Sequence, residues 1–109
     1  MAKPKLKKAV KVLYVKALRS NKFQQGKRKL KCMGRHCALG VLAELYEQSK
    51  GRELPDDYLG WYPKPAVWKW AGLLKTPSIT INNVKGLISF HNDQGVDFKT
   101  IADAVEKQL

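Results

Sequence analysis

The sequence predicts a mainly α fold: one small domain of four or five short helices, with a short two-stranded β-ribbon as a possible addition. Three observations lead there. The 109 residues fit one domain, residues 1–109, and leave little room for a second. The 44% hydrophobic content is enough for one core. Apolar residues recur at the helical period in segments that Gly, Pro and Asn keep short.

Residues 1–5 read as a flexible basic tail, with Pro4 near the first helical turn. From Leu6 to Leu18, the residues Leu6, Val10, Leu13, Tyr14, Ala17 and Leu18 form one stripe at a 3.6-residue spacing. Lys5, Lys8, Lys11, Lys16 and Arg19 fall opposite it, with Val12 and Val15 interrupting the basic face. Ser20 and Asn21 end that helix. Residues 22–36 read as a basic loop in which Gly26 is free to turn left-handed, and Leu30 to Met33 suits a short strand. Cys37 to Tyr46 is apolar enough for a buried helix. Gly40 at its centre costs about 1 kcal/mol in propensity and predicts close approach by another backbone.

Gly51 to Pro65 is a loop rich in turn formers. Pro65 opens a short helix through Val67, Trp68, Trp70 and Ala71, and Gly72 stops it. Ile79-Thr80-Ile81 is strand-like; a ribbon would pair residues 29–33 with residues 78–81. Asn82 or Asn83 caps a helix running to about Phe90, with Val84, Leu87 and Ile88 inward. Asn92-Asp93-Gln94-Gly95 is a turn, with Gly95 left-handed. Asp97 caps a last helix over residues 98–107, whose stripe is Phe98, Ile101, Ala102 and Val105.

Charge supplies the main functional signal. The formal net charge is +12, and the first 36 residues hold thirteen of the 21 Lys and Arg but none of the acids. Such a field attracts polyanions. Lys5, Lys8, Lys16, Arg19, Lys22, Lys27, Arg28, Lys29, Lys31 and Arg35 are the candidate phosphate contacts, with Phe23 and Tyr14 as planar neighbours. The plain alternative is a solvated, solubilising surface. No helix-turn-helix, zinc-finger or RNA-recognition motif points to a sequence-specific reader.

Tyr58, Trp61, Tyr62, Trp68 and Trp70 form an aromatic cluster. They either close a small core or, through Tyr58, Trp61, Tyr62 and Trp70, bind a partner. Cys32, His36, Cys37 and His91 are conceivable zinc ligands, but the Cys-x4-Cys spacing and the adjacency of His36 and Cys37 argue against a site. Cys37 at a helix N-terminus would favour a thiolate, and His36 with His91 would be an acid–base pair. Neither arrangement has a third orienting group, so no catalytic residue, metal or cofactor is expected. For Asn92-Asp93 a turn role is sufficient. With no Walker A loop, no dinucleotide fingerprint and no run of 18 apolar residues, neither nucleotide chemistry nor a membrane partner is expected. The basic N-terminus lacks an apolar h-region, which leaves the cytoplasm as the expected location.

Several of these blocks together resemble a family of small uncharacterised proteins encoded by bacteriophages and prophages. They are Ser20 to Gly26, Cys37-Ala38-Leu39-Gly40-Val41-Leu42, His91-Asn92-Asp93-Gln94-Gly95, and Phe98 to Glu106. The resemblance spans residues 10–107. Many members carry Cys-Cys where this chain has His36-Cys37, and a Leu where Phe90-His91 precedes Asn92. The resemblance implies an origin and no particular activity: a phage accessory protein made in the cytoplasm of a bacterial host. Two partners then follow, nucleic acid (DNA or RNA) or a bacterial host protein of acidic character.

Overall fold

A computed structural model describes residues 5–55, 63–73 and 76–109. The elements are α1 (Lys8–Arg19), β1 (Gln24–Gln25), β2 (Lys31–Cys32), β3 (Arg35–His36), α2 (Ala38–Ser49), α3 (Pro65–Ala71), β4 (Ser78–Ile81), β5 (Val84–Leu87), α4 (Ile88–Asp93) and α5 (Phe98–Gln108). The chain is mainly helical, with short strands serving as connectors. Among the described residues, no helix is long and apolar enough to cross a membrane.

The centre is α2, buried through Ala38, Leu39, Gly40, Val41, Leu42 and Ala43. Its first turn is capped by Cys37, whose Sγ accepts from the Gly40 N–H at 3.3 Å. Gly40 is there because the Leu30 backbone crosses it: a Cβ at Gly40 would lie 1.7 Å from the Leu30 carbonyl oxygen. The close approach expected from the sequence is thus made by the basic segment itself.

Around α2 pack α1, α3 and α4, while α5 lies along α1. The chain ends are tied there, with Leu6 N–H donating to the Leu109 carbonyl at 3.0 Å and Lys7 N–H to Ala71 at 2.9 Å. In α1 the buried residues are Val10, Tyr14, Val15 and Leu18, whereas Val12 and Leu13 are 58% and 49% exposed. The stripe is therefore rotated from the expected one: Leu13 is out and Val15 is in. The helix must cover both α5 and α2, and Tyr14 sets its rotation by donating to the Ala38 carbonyl at 2.7 Å.

Helix α3 runs from Pro65 to a left-handed Gly72 (φ 86). Asp97 caps α5 by accepting from Thr100 N–H at 2.9 Å, and α5 buries Phe98, Ile101, Ala102 and Val105, all as the sequence indicates.

Strands form within residues 30–33 and over residues 79–81 as expected, but they do not pair with each other. Segment 78–81 pairs antiparallel with Val84–Leu87 in a two-residue hairpin, not with segment 29–33. Asn82 and Asn83 have φ 52 and 66, the left-handed pair of a type I′ turn, so they do not cap a helix. Val84 is half-exposed and α4 starts only at Ile88. Buried Ile79 and Ile81 alternate with exposed Ser78 and Thr80, and that burial favours the sheet. The second sheet has the order β1-β3-β2, with β1 parallel and β2 antiparallel to β3.

Candidate functional site

The β2–β3 hairpin is built on a two-residue turn, Met33-Gly34, at φ 52 and 75. β1 pairs on the far side of β3, so residues 26–30 must travel from β1 round to β2. Gly26 is not left-handed, contrary to expectation. The bend falls instead at Arg28, with φ 71. Asp93 holds that bend, its Oδ1 accepting from Arg28 N–H at 2.9 Å. The segment also closes on itself through Lys29 N–H to the Lys27 carbonyl at 2.8 Å.

Asn92 anchors the start of the same segment. Fully buried, it donates to the Gly26 carbonyl at 2.8 Å, and its Oδ1 accepts from Ala38 N–H and Gln25 Nε2, each at 3.0 Å. The Asn92-Asp93 pair does accept backbone hydrogen bonds, but from residues more than fifty positions away rather than within a local turn.

These supports leave a groove of about 700 Å³ walled by Gln24, Lys27, Lys29, Cys32, Met33 and Arg35, and among the described residues no carboxylate lines it. Lys27, Arg28 and Arg35 are exposed and Lys29 is half-buried. A second groove runs along α1, where Lys8, Lys11 and Lys16 flank Val12 and Val15. Lys5 lies just before α1 and Lys22 just after it, both exposed. The expected basic surface thus divides between a hairpin face and a helix face.

Two of the expected phosphate contacts are engaged internally. Arg19 forks onto α5, with Nη2 at 2.6 Å from Asp103 and Nη1 at 3.0 Å from Glu106. Those bonds hold the Glu106 carboxyl below the usual carboxylate range. Lys31 reaches inward, with Nζ at 3.1 Å from Glu44 and 2.7 Å from the Leu54 carbonyl. Glu44 also meets His36 Nε2 at 3.1 Å and accepts from Leu54 N–H at 2.6 Å. Burial pushes the Glu44 carboxyl up, but the Leu54 N–H, His36 and Lys31 together outweigh it and hold it below its ordinary value. Both buried acids of α2, Glu44 and Glu47, are absent from the sites expected from the sequence. Their signal was two carboxylates, three residues apart, in an otherwise apolar helix. Glu47 is paired with Arg52 at 2.8 Å and Lys64 at 3.2 Å.

His36, Cys37 and His91 are each tied into the fold by a hydrogen bond. Cys37 does stand at a helix N-terminus, but burial raises its thiol pKa, the reverse of an activated thiolate. His91 is buried on the Ile79 carbonyl at 2.9 Å. Among the described residues, no three His, Cys, Asp or Glu side chains converge as metal ligands. Trp68 is in the core, and half-buried Trp70 meets Tyr46 edge-on at 5.7 Å. Tyr58, Trp61 and Tyr62 lie outside the described residues.

No curated protein and no solved structure matches this chain. One family model does, over residues 6–109, which takes in every described element including the hairpin face. The chain belongs to the family described as Domain of unknown function (DUF8296).

Proposed function

We propose that the protein binds nucleic acid without catalysis, through backbone phosphates held at the β2–β3 hairpin face. It would act as a phage accessory protein in the cytoplasm of a bacterial host. The observation that carries the reading is the groove lined by Lys27, Lys29 and Arg35 and, among the described residues, by no carboxylate, with Arg28 beside it in the same segment. Cations that are not neutralised within the fold are the ones that release counterions from a polyanion. Gly40, Asn92 and Asp93 fix the path of this segment, so its charges are held in place before a ligand arrives. The resemblance to phage proteins supports the setting.

The test is a Lys27→Glu, Arg28→Glu, Lys29→Glu variant in a gel-shift or anisotropy assay. Binding is lost while the circular dichroism spectrum and melting temperature stay near wild type. Unchanged binding moves the site away from the hairpin.

A second reading, capture of an acidic bacterial host protein, is favoured by one observation. Val12 and Leu13 are exposed on α1 beside Lys8 and Lys16. A Val12→Asp, Leu13→Asp variant separates the two: it loses a protein partner and keeps binding to nucleic acid.

A further inference from the structure

The two hairpins of this molecule use the same turn with different residues. Both have two-residue loops with φ positive at both positions. The β4–β5 loop is Asn82-Asn83, side chains that tolerate left-handed backbone. The β2–β3 loop begins with Met33 at φ 52. A methionine there gains nothing from the turn, because a left-handed residue with a long side chain is strained. It gains nothing from packing either. Met33 is 83% exposed, the highest value for a large hydrophobic side chain among the described residues. A Cβ at Gly34, the other turn residue, would meet nothing within 4 Å. A local rule broken with no compensation among the described residues points outward to a ligand.

The surroundings say which ligand. Met33 forms one wall of the groove that holds Lys27, Lys29 and Arg35. Phosphates seated on those cations would lie beside the hairpin tip. Apolar side chains such as Met, Leu and Phe can part adjacent base pairs in a duplex.

We infer that Met33 is a wedge that inserts between two base pairs of double-stranded DNA while the flanking cations hold the phosphates; this rests on the nucleic-acid reading above. Insertion is easiest at pyrimidine–purine steps, which unstack at least cost. The protein therefore prefers duplexes containing TA steps although it makes no base-specific hydrogen bond.

The experiment uses the full chain and a duplex DNA with 2-aminopurine at a central TA step. Wild-type protein raises the 2-aminopurine fluorescence on binding. Met33→Asn, which copies the other hairpin, binds about tenfold more weakly, gives no fluorescence rise, and melts at or above the wild-type temperature. Met33→Leu restores the rise, which separates a wedge from a general disturbance of the tip. If wild type binds with no rise, or Met33→Asn keeps both affinity and rise, the wedge is wrong and the phosphate reading survives. If wild type prefers single strands or RNA to this duplex, the wedge is also wrong. If it binds no nucleic acid, both readings fall.

Discussion

Replacing Gly40 by alanine tests how the basic segment is held. Alanine in a helix interior is ordinarily favoured over glycine by about 1 kcal/mol. Here the new Cβ falls 1.7 Å from the Leu30 carbonyl oxygen and 2.6 Å from its carbon. Ordinary contact needs about 3.5 Å, so helix and segment must part by about 2 Å. Leu30 is itself buried, and both contacting atoms are backbone, so no side-chain rotation relieves the overlap. Against backbone, this overlap falls at the upper end, about 3 kcal/mol, of what overpacking costs. With the gain in helix propensity subtracted, Gly40→Ala is expected to destabilise by about 2 kcal/mol. For a domain of this size that lowers the melting temperature by roughly 8–16 °C. Thermal unfolding followed by circular dichroism reads the shift directly. Lys29 adjoins Leu30 and lines the groove, so on the proposed reading affinity for nucleic acid falls in the same variant. A Gly40→Ala protein that melts at or above wild type would refute the reasoning, because helix propensity would then have outweighed the contact.

The remaining predictions concern the polar supports. Asn92→Ala leaves the Gly26 carbonyl, the Ala38 N–H and the Gln25 amide without their shared partner; the expected loss is about 3 kcal/mol by urea denaturation, and a loss below about 1 kcal/mol would mean that water replaces the side chain. Glu44 has a folded-state pKa below its ordinary 4.5, held down by Lys31, His36 and the Leu54 N–H against burial, with Glu47 one turn further along the helix. Its stabilisation is therefore complete above about pH 4.5 and is lost as pH falls through the lower folded value. The melting-temperature advantage of wild type over Glu44→Gln should be level near neutrality and shrink on acidification, and an advantage that grows in acid would contradict the sign.

Local signals carried much of the fold. Asp97, Pro65 with Gly72, and the Phe98–Ile101–Ala102–Val105 stripe each determine their element within a few residues, and Gly40 announced a crossing backbone. Val84 and Leu87 lie in a strand although their spacing with Ile88, which does open α4, fits a helix, and Asn82-Asn83 suits both an N-cap and a type I′ turn. Only pairing with Ser78–Ile81 separates these, and pairing is not local. Helix α1 was turned wrongly because apolar residues run without a break from Val12 to Val15, so its buried face is set by α2 and α5 rather than by its own pattern.

The candidate site was legible as charge and not as geometry. The carboxylates that engage Arg19 lie 84 and 87 positions along the chain, and the one that engages Lys31 sits in a different element. Met33 carried a signal, an apolar residue within a basic run. Its meaning depends on the left-handed turn that the β2–β3 pairing imposes.

The most direct test of the central claim is binding of the purified protein to duplex DNA, single-stranded DNA and RNA across a salt series. Four cations at the hairpin face, Lys27, Arg28, Lys29 and Arg35, give an expected slope of log affinity against log salt of about −3.6 for duplex DNA. The account predicts micromolar or tighter binding with a slope near that value, lost in the Lys27, Arg28, Lys29 reversal. No binding at about 0.1 M salt, or an affinity indifferent to salt, would contradict it.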